Sequence, residues 1–454
     1  MAEPVRCLVT GATGYIGGRL VPRLLDEGHR VRALARNPDK LAEVPWRPQV
    51  EVARGDLADV DSLIAACEGV DVVYYLVHSM GTAKDFTAEE TRAVRNVVTA
   101  ARSAGVRRVV YLSGLHPENT DLSPHLASRK AVGEALIESG IETVVLQAGV
   151  VIGSGSASFE MIRHLTDRLP VMTTPKWVHN KIQPIAVRDV LYYLAAAATA
   201  SLPAEQKSRT WDIGGPDVLE YGDMMQVYAQ VAGLSRRYML VLPFLTPTIA
   251  SLWVGTVTPI PSGLARPLVE SLECDAVMRN WDVNSIIEPP PDGLIGYRRA
   301  VELALHRAGR GLPDATWSSS EPADPLPSDP DWAGEIVYTN VQTATTAAGP
   351  GDVWSAARDA TTGGRRRHLP LRGWSVEESD PGVRLRLRST ARLAGRAWLE
   401  ITVHPQDGGG SRYTQRAIFL PSGTLGRMHR IAVWPLRAVA LGALAREIVA
   451  AAGG

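Results

Sequence analysis

Cysteine is scarce in this chain of 454 residues. The three present, Cys7, Cys67 and Cys274, lie far apart and match no metal-ligand spacing. A disulfide framework and a structural metal site are therefore not expected, and the thiols suit a reducing compartment, the cytoplasm. Excess charge is missing too: 48 basic residues face 48 acidic ones, and the basic residues form no single block. That argues against nucleic acid as a partner. No basic segment followed by an apolar core opens the chain, so no cleaved leader is expected, and no internal repeat is found. An uninterrupted hydrophobic span is lacking as well. Residues 238–265 carry no charge, but Pro243, Pro247, Pro259 and Pro261 interrupt them. Proline breaks a single spanning helix, so short helices and turns that line a pocket or touch a membrane surface are expected.

What is present is a glycine turn between a short apolar run, Cys7, Leu8 and Val9, and a helical pattern from Leu20 to Leu25. Gly11, Gly14 and Gly17 are spaced G-x-x-G-x-x-G around Thr13, Tyr15 and Ile16. In a strand–turn–helix context the first glycine permits a tight exit from the strand. The second lets the backbone approach a pyrophosphate, and the third lets the helix lie close to the sheet. The bare N–H groups and positive end of the helix then face the phosphates.

Strand-like runs at residues 6–10, 30–35, 50–53, 70–76, 108–113 and 143–147 alternate with helical patterns at 19–27, 60–67, 88–104 and 126–139. That alternation predicts an α/β fold, a doubly wound parallel sheet with helices on both faces. After Gln147 the pattern loosens into a helix at 159–169, strands at 181–185 and 210–213, and helices at 189–200 and 222–232. Such an interrupted region is where a substrate pocket would be assembled. Prolines 313, 322, 325, 327 and 330 mark an extended linker. The expected division is a nucleotide-binding domain with a substrate lobe at 1–311, a linker at 312–332 and a smaller α+β domain at 333–454. In the last of these, strands are expected at 335–345, 383–388, 397–404 and 411–420, with a short helix from Asp352, a turn at Gly408, Gly409 and Gly410, and a terminal helix at 427–451.

The glycine motif occurs together with Gly55, Asp56 and Leu57 after the third strand, Tyr111, Leu112, Ser113 and Gly114 on the fifth, and the run from Ile185 to Val190. On these residues the first two thirds of the chain resembles the extended short-chain dehydrogenase/reductase superfamily, most of all its atypical NmrA-type branch of NAD(P)-binding proteins. Bacterial members of that kind carry the runs found here from Tyr75 to Met80 and from Gly153 to Glu160. The last third resembles the helix-grip polyketide-cyclase/START-like fold, through Pro350, Val353 and Trp354 on a short helix, several antiparallel strands and a long final helix. The resemblance implies a Rossmann-type fold. It also implies cofactor contacts from Gly11, Thr13, Gly14, Tyr15, Ile16, Gly17, Asp56 and Leu57, with Asp56 at the adenine amino group or capping the next helix. At the tip of the second strand, NAD-preferring sites carry an acid that accepts from the ribose 2′-OH. Here the tip carries Arg36, with Lys40 close behind, which favours the 2′-phosphate of NADP(H) over NAD(H).

Working members of the superfamily pair a tyrosine acid with a lysine four residues on, and a serine on the fifth strand orients the substrate. Ser113 fits the serine. The Tyr-x-x-x-Lys pattern is absent, and alignment places His125 and Arg129 at its two positions, with Lys130 one residue out of register. His125 and Arg129 are i and i+4 and share a helix face. Histidine titrates near neutrality and can serve as a general acid. The pair could instead only contact the cofactor, or His125 could merely cap its helix. His78, after the fourth strand, could face the nicotinamide or the substrate, or be buried and paired to backbone. Gln147 stands where the family has an arginine. The expected function is an NADP(H)-dependent oxidoreductase acting on a small or lipophilic carbonyl or alkene. The alternative is a non-catalytic NAD(P)H-binding redox sensor or membrane-associated assembly factor, with a sugar-nucleotide epimerase a distant third. A small-molecule partner is expected. Peripheral membrane contact, homo-oligomerisation and an apolar ligand in the second domain are left open.

Overall fold

The computed structural model describes residues 3–77, 86–118, 120–242, 258, 262–306, 338–362, 373–390, 395–406, 409–421 and 439–453. His78, most of the uncharged stretch, the linker at 312–332 and the first part of the terminal helix lie outside the described residues. The chain forms two compact units, one of residues 1–166 and 170–334, the other of residues 167–169 and 335–454.

The first unit is built on β1 (Arg6–Thr10), β2 (Arg30–Ala35), β3 (Glu51–Arg54), β4 (Val72–Tyr75), β5 (Arg108–Gly114) and β6 (Glu142–Ala148). The chain then leaves the sheet for β7 (Val151–Ile152), β8 (Val171–Thr174), β9 (Lys181–Ile182) and β10 (Ile185–Ala186), and returns as β11 (Ser208–Ile213). The main sheet has seven strands in the order β11-β6-β5-β4-β1-β2-β3, and every pair in it is parallel. Successive residues of β1 bury on opposite faces: Cys7 and Val9 join one core, Leu8 the other. Helices α1 (Tyr15–Asp26) and α6 (Val187–Ala196) cover the first face through Leu20, Leu24, Val190 and Leu194. Helices α2 (Val60–Cys67), α3 (Phe86–Ser103) and α4 (Pro124–Ile137) cover the second through Leu63, Val97 and Leu136. Strands buried on both faces read as continuous apolar runs, which is why the sequence shows them. The result is the expected doubly wound α/β fold.

The lobe adds α5 (Ala157–Arg168), β12 (Leu219–Glu220), α7 (Tyr221–Val231), β13 (Tyr238–Val241) and helices Ser262–Glu270 and Tyr297–His306. Two motifs noted in the sequence are structural here. Glu160, fully buried, accepts from the Gly155 amide at 2.9 Å and pairs with Arg163 at 3.1 Å, so it locks the loop onto α5. Asp189 accepts from the Ile295 amide at 2.8 Å, and burial raises its carboxyl above the usual range.

The second unit is α+β. Its antiparallel sheet runs β14 (Tyr338–Thr346), β18 (Ser411–Pro421), β17 (Gly395–Pro405), β16 (Arg384–Ser389), β15 (Trp374–Asp380), with helix Pro350–Thr362 between β14 and β15 and a helix at residues 439–452. Alternation sorts its faces: Leu385 and Leu387 enter the core with Val353, Leu399 and Leu444, while Arg386 on the other face pairs with Glu400 at 2.7 Å. Among the described residues no helix is long and apolar enough to cross a membrane.

Candidate functional site

The glycine turn sits at the point where strand order reverses, with β1 between β2 and β4. The Thr10 hydroxyl donates to the Tyr74 carbonyl at 2.9 Å and accepts from the Leu76 amide at 3.1 Å, pinning the crevice floor. Gly11 has φ +72, a left-handed conformation that favours glycine, and its carbonyl accepts from the Gly14 amide at 2.8 Å. A Cβ on Gly17 would lie 2.3 Å from that same carbonyl oxygen. Helix α1 opens with Gly14 as its cap, no side-chain cap bond and no acid in its first turn. Its leading N–H groups are thus left to an anion, and the turn fits a pyrophosphate. Thr13 is half-buried in the turn. The Arg19 guanidinium lies 4.1 Å from the centre of the Tyr15 ring and holds it from below.

Arg36, directly after β2, is exposed and has no hydrogen-bond or ion-pair partner among the described residues, so its fork is available to a phosphate. Asp56 stabilises the turn after β3 by accepting from the Ala58 amide at 3.0 Å. The cap of α2 is Asp59, which accepts from the amides of Asp61 and Ser62; the capping alternative for Asp56 is thereby corrected. An aspartate at either position would make an Asx turn, and only Asp59 adjoins the first helical residue. The Leu57 carbonyl accepts from Asn96 at 2.8 Å.

Ser113 from β5, His125 and Arg129 from α4, and Tyr15 and Ile16 from α1 line one cavity of about 300 Å³. The structure therefore gathers the three candidate catalytic residues at the start of the cofactor helix. Ser113 is only 3% exposed, and its hydroxyl has the Tyr111 hydroxyl beside it on the same strand face. The α4 cap is Ser123, which accepts from the Leu126 amide at 3.3 Å, with Pro124 at the first position. His125 is not the cap, and the helix turns it into the cavity with Arg129. Arg129 is also braced: its guanidinium donates to the Leu112 carbonyl and lies 5.7 Å from the Tyr111 ring centre. Lys130 does not line this cavity and pairs with Glu134 at 3.8 Å, in keeping with the register that gives Arg129 the lysine's place.

A second cavity, of about 320 Å³, shares Ser113 and Arg129 and is otherwise lined mostly by polar residues. His116 lies here, its Nδ1 3.1 Å from the Pro117 carbonyl oxygen and its Nε2 3.1 Å from Gln147 Nε2. The tautomer with Nδ1–H donating to Pro117 leaves Nε2 to accept from the Gln147 amide. Gln147 Oε1 accepts from Arg279 at 3.4 Å, and Arg279 grips buried Asp212 through Nε and Nη2 at 2.8 and 2.7 Å. Hydrogen bonding to Asp212, ahead of all other causes, raises the Arg279 pKa. The sequence marked Gln147 as a departure, but Arg279 reaches it from a distant loop that no local pattern announces. Arg279→Ala leaves Asp212 with only the backbone amide of residue 279. Unfolding by urea should show a loss of about 1–3 kcal/mol, the cost of an under-satisfied buried acceptor; an unchanged midpoint would contradict this role.

Residues 11–161 match a family model described as NAD(P)H-binding, and residues 337–443 match one described as a protein of unknown function. The chain carries an NAD(P)H-binding domain. It is 40% identical over 118 residues to a 3 beta-hydroxysteroid dehydrogenase/Delta 5→4-isomerase of Mycobacterium tuberculosis, a match covering 24% of this chain and 31% of that protein. It is 29% identical over 239 residues to the (4-alkanoyl-5-oxo-2,5-dihydrofuran-3-yl)methyl phosphate reductase of Streptomyces griseus, over 51% of this chain and 75% of that one. The matched stretch spans only about a third of the length of the mycobacterial relative. The structure of Citrobacter sp. triphenylmethane reductase with NADP(H) superposes with a TM-score of 0.52 at 21% identity, over 66% of this chain and 100% of the other. At that identity the likeness shows the fold. The relatives named are thus a dehydrogenase/isomerase and reductases, and the first unit has the fold of the triphenylmethane reductase.

Proposed function

We propose that the protein is an NADP(H)-dependent oxidoreductase that reduces a small or lipophilic carbonyl or alkene. The observation that carries this reading is the single cavity joining the cofactor helix to Ser113, His125 and Arg129, with an otherwise largely apolar wall. The bound nicotinamide would supply or accept hydride. The residues of the chain do the rest. The backbone at Gly11, Gly14 and Gly17 seats the pyrophosphate, and Arg36 takes the 2′-phosphate. The Ser113 hydroxyl orients the reacting oxygen, and His125 delivers the proton to it and recovers one from solvent. Arg129, always charged, braces the cofactor ribose. The apolar wall excludes water. The test is loss of NADPH absorbance across carbonyl, enone and quinone panels, run beside a fluorescence titration of cofactor binding. Tight binding with no turnover on any panel would overturn it.

A second reading, binding of NADP(H) without hydride transfer in a redox sensor or membrane-associated assembly factor, has one observation in its favour. Arg129 is already engaged by the Leu112 carbonyl, as a structural residue would be. For the second unit, the helix-grip resemblance supports an apolar ligand held under its terminal helix.

The cofactor assignment has its own test. Arg36→Asp should lower NADPH affinity by about tenfold or more, through loss of a charge-assisted contact, and should bring NADH level with it or ahead. Equal affinities for the two in the parent protein would remove Arg36 from the site.

A further inference from the structure

The cavity wall holds a phenol hydroxyl that no described residue engages. Tyr221, the first residue of α7, is 3% exposed and lines the same cavity as Ser113. Its ring is fixed: it stands edge-on to Trp177 with centroids 5.9 Å apart, and its backbone opens a helix closed by a capping box between Glu220 and Asp223. Its hydroxyl makes no hydrogen bond to the described residues and is not one of the fully occluded polar atoms, so what it meets is the cavity. Two serine hydroxyls of the wall are used internally, Ser156 donating to the Val151 carbonyl at 2.8 Å and Ser271 to the Pro267 carbonyl at 2.7 Å. Around Tyr221 the wall is hydrocarbon: Ile182, Leu268, Leu272 and Ala276. Burial, the largest cause, raises the phenol pKa, so the group stays protonated and is a donor at any working pH.

A phenol donor that the protein leaves unpaired on a mainly hydrocarbon wall is available to an acceptor that enters the cavity. We infer that Tyr221 is a specificity-determining residue that donates a hydrogen bond to a second oxygen of the substrate, so that the substrate is a mainly hydrocarbon molecule with two oxygen functions. One oxygen is placed at Ser113 and His125. The other, a ketone or hydroxyl across the hydrocarbon body, is placed at Tyr221. Ser113 comes from the sheet and Tyr221 from the lobe, so the two contacts also tie the substrate to both parts of the wall. This inference rests on the cavity being the substrate site.

The experiment uses the full chain with NADP(H) and a panel of straight-chain and fused-ring diketones and hydroxyketones. Each is paired with the monoketone of the same skeleton that lacks the far oxygen. The parent should favour the bifunctional member of the best pair by about tenfold in kcat/KM, the value of one hydrogen bond to a buried group. Tyr221→Phe, which keeps the ring against Trp177, should erase that preference, leave the monoketone unchanged and leave NADPH affinity unchanged. Affinities of the same pairs, measured by calorimetry with NADP⁺ present, read the subsite without turnover. An inactive parent that still binds the bifunctional ligand about tenfold more tightly would end the oxidoreductase reading and keep this one. No preference in the parent, no binding by any member of the panel, or an equal loss on both members of a pair in Tyr221→Phe would overturn it. The preference of the parent needs no variant, so a Tyr221→Phe protein that fails to fold does not rescue the inference.

Discussion

His125→Phe should bind NADPH nearly as well as the parent and lose turnover by about 10²–10⁴-fold, the usual contribution of a general acid. The phenyl ring keeps a planar group on the same face of α4, one turn before Arg129, so packing is conserved while the proton is lost. The loss should fall on kcat and kcat/KM together, because proton delivery matters in the transition state and little in the bound ground state. Arg129→Ala should separate from it by weakening NADPH binding, since that side chain is placed at the ribose. The sensor reading expects a silent His125→Phe or one felt in binding alone. Activity that survives the substitution would place the donor elsewhere in the cavity wall.

Gly17→Ala should cost both stability and cofactor. The added methyl carbon would lie 2.3 Å from the Gly11 carbonyl oxygen and 3.1 Å from the Ala12 amide nitrogen, and both are backbone atoms that cannot swing aside. Overpacking of this kind costs about 1–3 kcal/mol. Relief requires α1 to move off the turn, which displaces the N–H groups that face the pyrophosphate. NADPH affinity should fall roughly 10- to 100-fold in proportion. Gly133→Ala, in the middle of α4, is the control: its methyl would meet Val145 Cγ1 at 3.6 Å, an ordinary contact. Alanine is the better helix former, so that variant should be neutral or more stable by up to about 1 kcal/mol. If Gly17→Ala binds NADPH like the parent, the turn does not hold the phosphates in the way described.

The parts of the molecule legible in its sequence are those where each residue answers to one neighbour layer. Strands β1 to β6 lie between two layers of helices, and Leu8, Val73 and Val145 on one face alternate with Val9, Tyr74 and Leu146 on the other. Ser113, His125 and Arg129 were readable only through the resemblance to the superfamily's serine and Tyr-x-x-x-Lys positions, and the i, i+4 spacing then put the last two on one helix face. The lobe was harder. Strands β7, β9, β10 and β12 have two residues each, too few to carry a period. Helix Ser262–Glu270 hides behind Pro267, which sits inside it. Strand β15 escaped notice because its register shifts between Val376 and Glu378, so its alternation is broken. Tyr221 and Arg279 join the site from elements far along the chain, and nothing in their local pattern distinguishes them from core or surface residues.

The route of the chain through the main sheet also governs how the molecule is made. After β6 the polypeptide builds β7 to β10 with α5 and α6 before it returns to lay β11 alongside, from Ser208 against Thr143 to Ile213 against Ala148. Until then β6 is an open edge that offers unpaired amides beside Val144, Val145 and Leu146, the kind of template on which chains aggregate. At ribosomal rates of about 5–20 residues per second, that edge stays uncovered for roughly 3–13 seconds in every nascent chain. Fragments ending between Ala148 and Ser208 should therefore be insoluble although the whole glycine turn is present, whereas one that extends past Ile213 closes the sheet.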